Sequence, residues 1–512
     1  MKKQFIDLYA IDRVSITTII ILSDAAALLI LGGWLCWGDR CLIETGPKVR
    51  EFTWGDRVVD VRDRAFVMKF SRPMARESVV NNLKITLLEQ PEADNPLPGK
   101  FSWAGRRMAY TPDFPAPYGN TYRVELQGAT EKFQGSDRPG KRLQPFQAEF
   151  STPDRIFAYI GLEGDKRGRL ILYNFTRQEE IVLTPPRLVI TDFEPYPDGK
   201  HILFGAADRQ VTRDGLLEQK LYRVSTGLSE DRRESDRALA GQIELILDNE
   251  EYQIRGFDLS ENGNMLVVQR AKRENPLEPN RLWVIRGDNS PIPLNNSSEG
   301  EFRIAPDNQT IANLQGEGVA LLSPESDAEP IGFFAQFGRV LAFTPDGISA
   351  AMVDFKRNNP DLARTQSLYL VNNQGREEEI FNKNGSIVNC QFAASGDRLY
   401  CVLTNLIEGE LYVEQPYIAA IDLDSKNVVP LTTLPQYQDI NFSLSPDTLG
   451  LLFDQILVDQ RLEENVLKAN SGEAIASGKL WLLIPPASLD EADAPPQLAE
   501  LPFIGFNPKW LP

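Results

Sequence analysis

Leu444-Ser445-Pro446-Asp447, an apolar residue, a small polar one and then Pro-Asp, leads into the apolar run Leu449-Gly450-Leu451-Leu452-Phe453. The same pattern recurs at Tyr196-Pro197-Asp198-Gly199, Ser260-Glu261-Asn262-Gly263, Ala305-Pro306-Asp307-Asn308, Thr344-Pro345-Asp346-Gly347 and Ala394-Ser395-Gly396-Asp397. A further partial copy, Asn507-Pro508-Lys509-Trp510-Leu511-Pro512, has the shape of a strand entering such a turn. Pro presets φ at the second turn position, Asp bonds its own backbone, and Gly or Asn tolerates positive φ, so each copy predicts a β-hairpin.

Each hairpin is followed by two more short apolar segments. After His201-Ile202-Leu203-Phe204 come Leu221-Tyr222-Arg223-Val224 and Glu244-Leu245-Ile246-Leu247, which makes four strands per repeat. Turn positions 197, 261, 306, 345, 395 and 446 are spaced by 64, 45, 39, 50 and 51 residues. Four strands at intervals near 40 to 50 residues are the signature of propeller blades. The segments Ile156-Phe157-Ala158-Tyr159, Leu170-Ile171-Leu172-Tyr173 and Glu180-Ile181-Val182-Leu183 read as a blade without its first strand, which Phe506 to Leu511 would supply. The expectation is seven blades, the ends joined in one mixed blade that removes the exposed edges of an open sheet.

The Pro-Asp-Gly turn, the following apolar strand, a Leu-Tyr or Leu-Trp strand and the endings Val182-Leu183-Thr184 and Pro430-Leu431-Thr432 resemble the repeats of TolB-like propellers over residues 155–512. Upstream, residues 51–153 read as a separate β-domain, with alternation in Phe66-Val67-Met68-Lys69-Phe70, Leu83-Lys84-Ile85, Tyr122-Arg123-Val124-Glu125-Leu126 and Phe146-Gln147-Ala148-Glu149-Phe150. The succession Phe70-Ser71-Arg72-Pro73-Met74, Tyr110-Thr111-Pro112, Tyr118-Gly119-Asn120-Thr121-Tyr122 and Phe150-Ser151-Thr152 resembles bacterial Ig-like domains of the SbsA type, which implies a spacer or adhesion module.

Residues 14–37, behind a tail of residues 1–13, form an apolar run of the length that crosses a bilayer, with Trp34 and Trp37 at one end. The run is long for a cleaved signal and no small-x-small site follows it, so a single uncleaved transmembrane helix is expected. Asp24 in its middle is costly there and is a candidate contact with a membrane partner. Basic residues on the two sides balance, and orientation rests on the two resemblances: both imply that the bulk lies outside the cytoplasm, on a bacterial inner membrane.

The chain has 54 basic and 72 acidic side chains and a net charge of −18, and residues 154–512 hold 33 and 53 of them. That balance excludes nucleic acid as a partner, since nucleic acid needs a basic footprint. The one histidine, His201, follows a turn and reads as structural. There is no G-x-S-x-G elbow, no phosphate-cradling glycine loop and no zinc spacing of His and Cys, so no catalytic residue, cofactor or metal is assigned. Cys390 and Cys401 lie on two strands of one hairpin, about equally far from its turn, where some registers allow a disulfide and others leave two buried thiols.

The long loops join the second and third strands of each repeat, opposite the Pro-Asp turns. Arg209, Arg213, Arg270, Lys272, Arg273, Lys356, Arg357 and Arg364 would give that face a basic rim. The expected architecture is thus an all-β chain with one transmembrane helix, an Ig-like sandwich and a seven-bladed propeller. Its expected function is a non-catalytic scaffold for a protein partner in the cell envelope. The alternatives are a hydrolase acting on envelope glycans or peptides, with carboxylates in the channel mouth, and an accessory subunit of a membrane complex.

Overall fold

The structure is a computed structural model that describes residues 46–512 except 91–94, 133–139, 211–217, 230–238, 276, 288, 357–361, 363, 408–412, 436–439, 460–466, 470–471, 487–488 and 490–494, and the backbone of 36–37 and 40–41. The expected span 14–37, including Asp24, lies outside the described residues apart from those two backbone positions. Among the described residues no helix is long and apolar enough to cross a membrane.

Alternation of apolar and polar residues builds the first domain. Phe66, Met68 and Phe70 point inward from one strand, and Tyr122, Val124 and Leu126 from another. One sheet runs Val49–Phe52, Phe66–Phe70, Arg107–Pro112, Gly99–Ala104, and the other Leu83–Leu87, Thr121–Leu126, Phe146–Ser151, all antiparallel. Their inner faces meet over an aromatic core in which Trp54 lies edge-on to both Phe66 and Phe150.

Residues 156–512 form an all-β propeller. Five four-stranded antiparallel sheets follow in chain order: 188–247, 252–293, 302–334, 339–384 and 387–433. In every one the strands neighbour each other in sequence order, as four-stranded repeats require. A seven-stranded sheet contains the rest, and its middle member is the 14-residue strand Gln497–Trp510. Residues 497–504 of that strand pair with Ile475–Ile484 of the last repeat, whereas 505–510 pair with Ile156–Gly161. One strand therefore joins the two halves of this sheet, a dual use that the sequence reading, which began it at Phe506, did not include.

The turns share one geometry. In each, the N–H of the fourth residue bonds the C=O of the first: Gly199 to Tyr196, Gly263 to Ser260, Asn308 to Ala305, Gly347 to Thr344, Gly396 to Ala393 and Thr448 to Ser445. All six fourth residues have positive φ, between 57° and 79°. The fifth of these turns is Ala393-Ala394-Ser395-Gly396, one residue upstream of the sequence reading. A longer bond closes each hairpin, as from Ser445 N to Gly450 O, and its counterpart runs from Leu511 N to Ile156 O. The same bond thus reappears between two segments far apart in sequence.

Lys468 and Ala474 form an isolated bridge, followed directly by the strand Ile475–Ile484.

Candidate functional site

The first strand of each sheet has one edge facing the middle of the propeller, and its N–H and C=O groups there need partners. Side chains two residues before the turns provide them at four of the seven positions. Those positions hold Glu194, Asp258, Arg303, Ala342, Gln391, Ser443 and Lys509. Asp258 accepts the N–H of Ile304 at 2.7 Å, Gln391 accepts that of Leu444 at 2.8 Å, and Ser443 accepts that of Trp510 at 3.1 Å. Gln391 also donates to Phe442 O, and Lys509 to Phe193 O. Each of these contacts joins one innermost strand to the next, so four of the seven positions brace neighbouring innermost strands.

Behind the braces lies a cavity of about 690 Å³, in the size range of small-molecule sites. Innermost strands of several sheets line it, with Asp192, Glu194, Asp258, Glu301, Arg303 and Arg339 among its charged residues. Most of these charges are already paired. Lys509 Nζ lies 2.6 Å from Glu194 Oε1 and 3.3 Å from Asp192 Oδ1. Burial works against the Lys509 charge, but the two carboxylates outweigh it and hold the ammonium above its usual range. Arg339 grips Glu301 with two nitrogens, at 2.8 and 3.0 Å. Burial pushes the Asp258 carboxyl up to about 6, with the nearby Glu194 charge adding to it and the Ile304 N–H opposing.

The basic rim has a different character from the one its sequence suggests. Arg209 donates to the backbone oxygens of Pro186 and Arg167. Arg273 forms a two-nitrogen pair with Glu218 and donates to Asn249 O, and its fork holds the Glu218 carboxyl below its usual range. Lys356 lies 2.9 Å from Asp354 and donates to Tyr369 Oη. Lys272 stands 3.8 Å from Glu278, and Arg364 precedes the strand Thr365–Asn372. Arg213 and Arg357 lie outside the described residues. Arg270 is inward-facing and 8% exposed, which alternation with the buried Leu266 and Val268 could have signalled.

Cys390 and Cys401 face each other directly across the strands Ile387–Phe392 and Arg398–Ile407 and are joined as a disulfide, both buried. His201 sits at the turn, its Nδ1 3.6 Å from Asp198 Oδ2 and its ring against Tyr196, away from the cavity lining. Among the described residues no group of three or more His, Cys, Asp or Glu side chains could hold a metal ion.

The first domain meets the propeller on the face of the turns. Asp447, in the turn of the last repeat, accepts from Tyr118 N and from Arg155, and Arg155 Nε donates to Tyr118 O. The side carrying the loops between second and third strands is thus left free of the sandwich.

No protein-family profile matches this chain, and no curated protein matches it in sequence. Solved structures similar to it include an oligogalacturonate lyase in complex with manganese, 13% identical, over 63% of this chain and 84% of that one, with a TM-score of 0.45. TolB from Acinetobacter baumannii is 12% identical over 76% and 79%, with a TM-score of 0.38. A prolyl oligopeptidase B from Galerina marginata is 11% identical over 66% and 47%, with a TM-score of 0.41. At these values the likeness carries nothing about activity.

Proposed function

We propose that this chain is a membrane-anchored envelope protein whose propeller, a ring of seven blades closed by the C-terminal strand and carried on an Ig-like spacer, is a non-catalytic scaffold for a protein partner. One observation carries the reading. The spacer is fixed to the turn face through Asp447, Arg155 and Tyr118, which leaves the opposite, loop-bearing face turned away from it. Loops on a rigid scaffold are where binding surfaces are built.

Three further observations support it. The Leu511 to Ile156 bond and the 505–510 pairing suit ring closure. The Cys390–Cys401 disulfide suits an oxidising, extracytoplasmic compartment. In the cavity, Asp258 has an upward-displaced carboxyl, as a hydrolase acid would, yet its oxygens accept from Leu259 N and Ile304 N as a brace does.

The test is purification of the full chain in mild detergent beside the double variant Lys272→Glu, Leu277→Asp. Both residues are on the loop face, and Leu277 is 94% exposed, so the fold should be kept. A defined partner held by the parent and lost by the variant is expected. Equal retention by both, or no partner in several detergents, would remove the reading.

A further inference from the structure

Arg270 differs from the other described rim cations. It lies near the end of the strand Met265–Lys272, on the face toward the preceding sheet, directly above Leu266 and Val268 in the apolar layer between the two. Its guanidinium carbon stands 4.4 Å from the Tyr252 ring centroid and 4.8 Å from that of Trp283. The two rings are 5.0 Å apart and inclined at 60°, so the planar group rests against both of them from one side of the pair.

The arginine is more than nine-tenths buried, and its Nε–H has no acceptor. Among the described residues no carboxylate or carbonyl bonds any of its nitrogens, although Asp248 and Glu251 act on it through space. Its neighbour Arg273 has a full set of partners in Glu218 and Asn249 O, and thereby fixes the segment that carries Asp248 and Glu251. Packing as a cover over the apolar layer explains the aromatic contacts. It leaves unexplained why a guanidinium, with five donors, occupies the place with its Nε–H buried and, among the described residues, no protein acceptor.

We propose that Arg270 is the preformed anchor of the loop face, and that it receives a single carboxylate, an Asp or Glu side chain or a free C-terminus, from the partner protein. This rests on the scaffold reading above and names the chemistry of its partner. The two rings have already fixed the orientation of the fork, so little side-chain freedom remains to be lost on binding. A planar fork matches a carboxylate with two parallel N–H bonds. A monoanion is favoured over a phosphate because Asp248 and Glu251 stand close by and the whole chain carries a net charge of −18.

The probe is a library of displayed random peptides with free C-termini, selected on the full chain in detergent and counter-selected on Arg270→Lys, which keeps the charge and loses the fork. The leading peptide is then measured with its acidic residue as Glu, Gln or phosphoserine, or with its C-terminus amidated where that supplies the carboxylate. Expected are an acidic residue or free C-terminus common to the selected peptides, and about ten- to a hundredfold weaker binding both to Arg270→Lys and for the neutralised peptide on the parent. An empty selection, peptides without a shared carboxylate, unchanged affinity of the neutralised peptide, or tighter binding of the phosphoserine form would each overturn the proposal. The neutralised peptide needs no variant, so the test holds even if Arg270→Lys folds poorly. If the purification above, repeated with Arg270→Lys, still retains the partner, the scaffold reading stands and this proposal falls.

Discussion

Asp447 Oδ2 accepts hydrogen bonds from the Arg155 guanidinium and the Tyr118 backbone N–H, each at 2.9 Å, while its Oδ1 accepts from Ser445 Oγ at 2.6 Å. The side chain of Asp447 is 1% exposed. The aspartate that shapes the last turn is therefore also the joint between the sandwich and the propeller. Elsewhere in the repeat its counterparts Asp198, Asp307 and Asp346 accept backbone N–H bonds within their own hairpins, from Lys200, Gln309 and Ile348.

Removing that joint leaves the Arg155 charge without its partner. Asp447→Ala should cost about 3 kcal/mol, in the range for breaking a buried ion pair, and should open the link at 152–156 to protease. Denaturant unfolding and limited proteolysis check it; an unchanged cleavage pattern would mean the domains are held elsewhere.

Thr448 occupies the left-handed position of its turn, φ 60°, where the equivalent residues are Gly199, Gly263, Asn308, Gly347 and Gly396. A β-branched residue is strained there. Thr448→Gly should therefore stabilise the protein by about 1 kcal/mol, the lost strain exceeding the added chain entropy. Thermal unfolding should show a higher midpoint, and a lower one would deny the strain.

The Cys390–Cys401 bond closes a separation of 11 residues. On the chain-entropy account it should contribute about 3 kcal/mol. Unfolding with and without a reductant that reaches the unfolded chain should differ by that order, and the double variant to Ala should match the reduced protein.

Asp258 gives a pH dependence whose sign is fixed. Its folded carboxyl titrates at about 6, above the ordinary 3.8, so the folded state binds the proton more tightly than the unfolded one does. The ionised form is the costly one: the penalty is absent below about pH 4, grows between the two values and is full above about pH 6. Relative to the parent, Asp258→Asn should gain stability over that window, by about 1–3 kcal/mol, and then stay level. Asn also loses one acceptor, which lowers the whole curve without changing its shape. A flat difference from pH 4 to 7 would contradict the assignment.

The turns were legible because Pro, Asp and Gly each impose a local backbone preference; at Ala393-Ala394-Ser395-Gly396, which has neither Pro at its second position nor Asp or Asn at its third, the reading slipped by one residue. The sandwich was legible from alternation at Phe66–Phe70 and Thr121–Leu126. The braces were not, since Asp258, Gln391, Ser443 and Lys509 share a position and not a chemistry, and their partners lie on other innermost strands. Charges on loops gave the rim, but no linear pattern tells that Arg273 meets Glu218 or that Arg270 lies against Tyr252 and Trp283.

The most direct test of the scaffold account is site-specific photocrosslinking in the native membrane. A photoreactive residue is placed at position 277 on the loop face and, separately, at position 307 on the turn face. The account predicts one adduct of defined mass from position 277 and none from 307. Adducts of equal yield from both faces, or none from 277, would contradict it.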